Sequence, residues 1–369
     1  MTYRRIVAKF GTSLLTAGSD RLDLVAMSKL VGQVQRLRED GCEVVVVSSG
    51  AQAAGRHRLG YHGGAQQSAS RQALASVGQS HLMQSWDQLF EWHDAVIAQV
   101  LLTRRDLTDR LGYLNARTTL RDLLDAHVVP IVNENDAVAL DEVLASRIGE
   151  NDSLSAYVAN LIDADLLVML TDVDGVYDAD PRANPDAQLI RRVDRVDHEV
   201  EGAAGESGAS GRGGMVTKLS AARTATHGGT DVIVANGATE NALVRIVSGE
   251  DLGTLFPAVS NPLESRKRWI LSNLGDATAV VVDEGAMRAV QKDGRSLLPA
   301  GVSSVRGSFE RGQTVNVLGP GGERLAAGTA NYGSEELRRI QGLHSDRIQD
   351  ELGYAYGEEV IHRDNLVLL

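Results

Sequence analysis

The chain has one cysteine, Cys42, among 369 residues. That excludes an intrachain disulfide framework and any zinc or iron–sulfur site built from several thiolates. Standing just ahead of the valines at 44–47, it reads as a small buried residue rather than a nucleophile, and it fits a reducing compartment. No stretch approaches the roughly 18–20 continuous apolar residues of a membrane span. The opening segment up to Lys9 lacks the apolar core of a signal peptide, so a cytoplasmic protein without membrane association is expected. The nine histidines include no H-x-x-x-H pair, no G-x-S-x-G elbow occurs, and no G-x-x-x-x-G-K-[ST] loop is present. A histidine metal site, a serine hydrolase and a Walker A nucleotide loop are thereby disfavoured. Positive charge is also scarce, with 37 Lys and Arg against 49 Asp and Glu and a net charge of −12. Nucleic acid and anionic membranes repel such a surface.

What is present is ordinary for a globular protein, 43% hydrophobic and 23% charged, and the length suits two or three domains. Ile6–Phe10, Glu43–Ser49, Ala95–Leu102, Val128–Asn133, Asp165–Thr171 and Asp231–Ala235 are short runs rich in Val, Ile and Leu. They lack polar alternation, as strands buried on both faces of a parallel sheet do. Leu22–Arg38 and Arg117–Ala126 carry helical spacing between them. Repeated strand–helix–strand units predict a layered α/β domain. From Ala277 the segments shorten and glycines punctuate them, with strand candidates at Thr278–Val282, Val302–Ser308, Thr314–Leu318 and Ala326–Ala330, which predicts a small β-rich second domain.

Five stretches could carry chemistry, four of them at the carboxyl end of a candidate strand, where open α/β sheets bind ligands. Lys9-Phe-Gly-Thr-Ser13 sets a lysine and two hydroxyl residues around Gly11, a combination able to hold polyphosphate; a strand-end lysine reaching solvent is the plain alternative. Ser48-Ser-Gly-Ala51 offers small residues for close approach, or a tight turn alone. Ile131–Asp136 and Gly149-Glu-Asn-Asp152 cluster Asn and Asp, suited to an amino group, a hydroxyl or Mg²⁺, or to local turns. Leu170–Arg182 opens like a calcium loop, but its glycine comes too early and no bidentate glutamate follows. Gly211–Lys218 joins a glycine-rich turn to a lysine and a helix start, as anion sites do, or is a flexible loop alone.

Taken in order, KFGTS, VVSSGA, VNENDAVA, GENDSLSA, LTDVDGVYDADPR and GRGGMVTK resemble the amino-acid kinase family, and the tail from about Ala277 resembles the PUA domain that many of its members append. The segment GTLFPAVSNPLESRKRWI, bridging the two, is similar to the glutamate-phosphorylating branch. The resemblance implies a three-layer α/β/α kinase fold with a mostly parallel sheet over residues 1–258, a linker at 259–275, and a β-rich PUA domain with its tail at 276–369. It implies transfer of a phosphoryl group from ATP to the γ-carboxylate of L-glutamate, with Mg²⁺ held mainly by the ATP phosphates and no metal ligands of the protein's own. Lys9, Lys218 and Asp152 match the catalytic positions, and Ser49, Asp136 and Asn151 the glutamate-binding ones. Lys9, Thr171 and Asp172, with Arg212, Gly213, Gly214, Met215, Val216, Thr217 and Lys218, match the ATP site. Gly11, Thr12 and Ser13 match the phosphate loop. Arg212, Val216 and Glu150 depart from the usual residues at their positions, but none removes a charge the reaction needs. Feedback inhibition by L-proline and a homodimer or homotetramer are further implications, and the intervening polar segment Gly55–Ala69 is expected to form a flap over the glutamate pocket. Other acceptors (aspartate, carbamate, a nucleoside monophosphate) and an RNA-binding regulator with an inactive kinase fold are the rival readings. From Asp276 to Leu369 there are 10 basic and 14 acidic residues, so RNA binding by that domain is disfavoured.

Overall fold

The computed structural model describes residues 3–61, 70–138, 151–179, 181, 184, 186–196, 200, 214–259 and 278–369. The chain divides into two compact units, Met1–Pro262 and Leu263–Leu369.

The first unit runs β1 (Arg5–Phe10), α1 (Thr12–Leu15), α2 (Leu24–Glu39), β2 (Glu43–Ser48), α3 (Ala51–Arg58), α4 (Arg71–Glu91), β3 (Ile97–Leu102), α5 (Arg104–Thr108), α6 (Arg110–Asp125), β4 (Val129–Glu134), α7 (Asn151–Ile162), β5 (Leu166–Thr171), β6 (Val176–Tyr177), β7 (Leu189–Ile190), α8 (Met215–Gly228), β8 (Asp231–Asn236), α9 (Ala242–Val247) and β9 (Thr254–Phe256). Seven strands form one sheet in the order β3-β4-β2-β1-β5-β8-β9. Every pairing in it is parallel except β8 with β9. The expected layered α/β architecture is therefore the one observed.

Its physical origin is in the runs of branched residues. Val44–Val47 and Leu166–Leu170 are buried throughout, because successive side chains point to opposite faces and both faces are covered. One face packs Ile6, Ala8, Val46 and Val168 against α2, α4 and α9. The other packs Val7, Val45, Val47 and Met169 against α6, α7 and α8. Helix α2 starts where Asp23 accepts hydrogen bonds from the amides of Val25 and Ala26, each 2.9 Å, a side-chain cap for donors that have no helical partner.

Two departures from expectation matter for the site. Asn151 and Asp152 lie in the first turn of α7 rather than at a strand end. The front of the expected flap, Gly55–Arg58, is the end of α3, while residues 62–69 of that segment lie outside the described residues. Gly55 is where α3 presses on α4: a Cβ there would sit 1.8 Å from Leu74 O, and one at Gly78 would sit 1.8 Å from Ala51 O.

The second unit has a five-stranded sheet, β10 (Ala279–Val282), β11 (Val302–Arg306), β12 (Thr314–Leu318), β13 (Arg324–Thr329) and β14 (Leu366–Leu368), in the order β11-β10-β12-β13-β14. It encloses its own core around Val280, Val317, Tyr332 and Ile348.

Candidate active site

Parallel strands in register deliver their carboxyl ends to one rim of the sheet. Lys9 on β1 stands opposite Val47 of β2 and Met169 of β5, so its side chain leaves the sheet beside the ends of both neighbours. Ser48 ends β2, Asn133 lies near the end of β4, and Thr171 ends β5. After β2 the chain turns into α3 through Gly50, at φ 99°, a left-handed conformation that favours glycine.

Two further helices meet this rim. Asp152, in the first turn of α7, is 1% exposed. Its Oδ1 lies 2.6 Å from Lys9 Nζ and its Oδ2 3.2 Å from Lys218 Nζ. Thr217 Oγ1 donates to the same Oδ2 at 2.8 Å. Lys9 and Lys218 are themselves buried. Burial pushes the Asp152 carboxyl up, but the charges of Lys9 and Lys218 and the hydrogen bonds from Lys9 and Thr217 outweigh it and hold the group at about 2. It therefore stays ionised at neutral pH. Counted by itself the trio carries a net charge of +1, and desolvated positive charge attracts an anion strongly.

The residues matched to glutamate binding gather at the same rim. Asn151 Nδ2 lies 3.0 Å from Ser48 O, 3.0 Å from Ser49 Oγ and 3.1 Å from Asn133 Oδ1. Asp136 lies in the turn after β4 and receives a hydrogen bond from Gln52 on α3; burial pushes its carboxyl up and that bond partly offsets the shift. Glu134, two residues earlier, is pushed up to about 7 by burial and by the Asp136 charge. Trp86 Nε1 donates to Ser48 Oγ at 3.0 Å, anchoring the end of β2 from α4.

Among the residues matched to the ATP site, Thr171 Oγ1 donates to Asp172 at 3.1 Å. Gly214, Met215, Val216, Thr217 and Lys218 form the start of α8, with Gly214 at its N-cap and Val216 45% exposed. Arg212 and Gly213 lie outside the described residues. Gly11, Thr12 and Ser13 make the turn from β1 into α1, where Gly11 N donates to Leu170 O at 3.4 Å. Among the described residues no group of three or more His, Cys, Asp or Glu could hold a metal ion. Trp86, Gln52 and Gln79 carry no local sequence signal: each belongs to a helix whose polar side chains reach the rim only through tertiary packing.

A model of the amino acid kinase family matches residues 4–236, close to two thirds of the chain. The chain belongs to the amino acid kinase family. A PUA domain model matches residues 278–352 of this amino acid kinase. It is 51% identical over 366 residues to a glutamate 5-kinase of Herpetosiphon aurantiacus, covering 99% of this chain and 98% of that one. A glutamate 5-kinase of Shewanella oneidensis is 47% identical over 370 residues, at 100% and 99% coverage. One of Deinococcus radiodurans is 48% identical over 366 residues, at 99% and 100%. Among solved structures, UMP kinase from Bacillus anthracis aligns over 70% of this chain and 98% of its own with a TM-score of 0.50 and 17% identity, a likeness of fold alone.

Proposed function

We propose that this amino acid kinase transfers the γ-phosphoryl group of ATP to the γ-carboxylate of L-glutamate, the reaction named for the relatives it matches end to end, and the first step of proline synthesis from glutamate. The observation that carries the reading is the single buried carboxylate, Asp152, holding the ammonium groups of Lys9 and Lys218. A carboxylate attacking a triphosphate brings two anions together, so the site must supply fixed positive charge. A carboxylate is already ionised at pH 7 and needs no general base. A γ-carboxylate oxygen forms the new bond to phosphorus as the bond to the bridging oxygen breaks, and ADP leaves with that electron pair. Lys9 and Lys218 neutralise charge on the transferring group; Asp152, with Thr217, keeps both amines aimed and spaced. Thr12 and Ser13 supply backbone amides to the phosphates, since first-turn N–H groups have no helical acceptor, and Gly11, whose own amide donates to Leu170 O, lets the phosphates come close to the loop. Thr171, Asp172 and the 212–218 segment hold the nucleotide, and Ser49, Asp136 and Asn151 hold glutamate.

Mg²⁺ fits this site as a companion of the nucleotide. The trio's carboxylate is committed to two amines and a hydroxyl, so phosphate oxygens would hold the ion, which would spread the charge of the triphosphate when bound. We assign residues 1–258 to the kinase domain, 259–275 to a linker and 276–369 to the PUA domain and tail. Proline, sharing the α-amino acid head group, would inhibit at the glutamate pocket, and the enzyme would work in the cytoplasm as a homodimer or homotetramer. The acidic PUA domain serves structure or regulation; tight, salt-sensitive RNA retention on filters would overturn that role.

The test is ADP release that requires both glutamate and ATP, with the acyl phosphate trapped by hydroxylamine, run with and without Mg²⁺ and proline. ADP release indifferent to glutamate, or faster with aspartate, carbamate or UMP, would refute the assignment.

A further inference from the structure

Around Asn151 three side-chain amides are strung in a chain whose direction is set by the backbone. Asn151 Nδ2 faces Ser48 O at 3.0 Å, and a carbonyl can only accept, so that end of the Asn151 amide must be its NH₂. Asn133 Oδ1 receives the backbone N–H of Glu134 at 2.9 Å, so its oxygen faces that way and also accepts from Asn151 at 3.1 Å. The Asn133 NH₂ must then point the other way, where it meets Gln79 Oε1 at 2.8 Å. Neither amide can be turned over without setting like groups against each other. Asn133 is 2% exposed. Among the described residues one atom at each end of the chain is buried without a partner, Asn151 Oδ1 and Gln79 Nε2. An orphaned buried acceptor is costly unless a ligand supplies the donor.

We infer that Gln79 and Asn133 are positioning residues that fix the Asn151 amide so that it offers its oxygen, not its nitrogen, to the substrate, selecting an acceptor that carries an ammonium group. This rests on the proposed glutamate chemistry and adds to it the means by which the α-amino group is required. Gln79 acts through Asn133: it occupies the Asn133 NH₂, which would otherwise be a stranded buried donor drawing that side chain away from Asn151.

The experiment compares L-glutamate with glutarate, the same dicarboxylate without its amino group, as substrate or competitive inhibitor of the full-length enzyme. Gln79→Met keeps the volume and removes the acceptor. It is expected to raise the glutamate KM about tenfold, the loss that goes with one unsatisfied buried hydrogen-bonding group, while the glutarate constant and the KM for ATP stay within about twofold. Gln79→Glu, which still presents an oxygen to Asn133, restores discrimination to within about threefold of the parent. Unchanged discrimination in Gln79→Met, or an equal loss for both dicarboxylates, overturns the inference. Should Gln79→Met fail to fold, Asn133→Asp decides: its carboxylate accepts from Asn151 and Glu134 as before, so discrimination no lower than the parent's is expected, and a tenfold fall refutes the orienting role. A parent enzyme with no glutamate activity would instead remove the functional reading itself.

Discussion

At the scale of single residues, Asp152 is unlike a surface ion pair, whose charges remain solvated and contribute little. Here three charged side chains are buried together, and deleting one partner leaves the others desolvated and misaimed. Lys9→Ala and Lys218→Ala are each expected to lower kcat by about 100-fold or more with modest change in the glutamate KM. Steady-state kinetics check this, and near-parental turnover in either variant removes that lysine from the mechanism. Glu134 gives a second prediction. Its folded value, near 7, lies above the ordinary 4.5, so the folded state holds the proton longer than the unfolded one. Its contribution to stability is therefore full below about pH 4.5 and is lost as pH rises through 7. Glu134→Gln, a permanent mimic of the protonated acid, should match the parent's Tm near pH 4.5 and exceed it at pH 8. A Tm difference that is flat across that range would show that Glu134 titrates normally.

At the scale of elements, α3 and α4 touch through two glycines. Gly78→Ala would drive a methyl into Ala51 O and toward Gly55 N, 2.4 Å from the new carbon. Backbone cannot yield as a flexible side chain does, so a loss of about 1–3 kcal/mol is expected, read as a lower Tm. A higher glutamate KM should accompany it, because Ala51 opens the helix that follows the Ser48–Gly50 turn. An unchanged Tm would mean that the helices separate at no cost. These elements differ in how well the sequence announces them. Glu43–Ser48 and Leu166–Thr171 were legible because burial on both faces leaves an unbroken apolar run. Helix α4 was not, since it packs on α3 as well as on the sheet and its apolar stripe is interrupted by Gly78, Gln79 and Ser85. Within the polar motif ending at Asp152, Asn151 and Asp152 were legible as chemically useful, but not as the start of a helix. The pairing of Gln79 with Asn133, 54 residues apart, is a product of packing that no local pattern encodes. Lys9, Asp152 and Lys218 were matched by resemblance; that they share one carboxylate emerges only from the strand register and the two helix starts.

At the scale of the molecule, each unit has its own hydrophobic core, the condition under which parts of one chain melt separately. Scanning calorimetry is expected to resolve two transitions, and MgATP should raise the one belonging to residues 1–262, since a ligand stabilises only what it binds. A single transition, or an equal shift of both, would instead mean that the units unfold as one.

The amines that share Asp152 come from the first strand of the chain and from a helix 209 residues later, with the carboxylate between them in sequence (Lys9, Asp152, Lys218). During synthesis the ribosome therefore emits β1–β5, with the first lysine and the aspartate, before the second lysine exists. On the proposed mechanism, competence then waits for α8 to supply the second amine. A truncated or stalled product ending before that helix can occupy space in the cell, but it has no complete charge cluster with which to spend ATP.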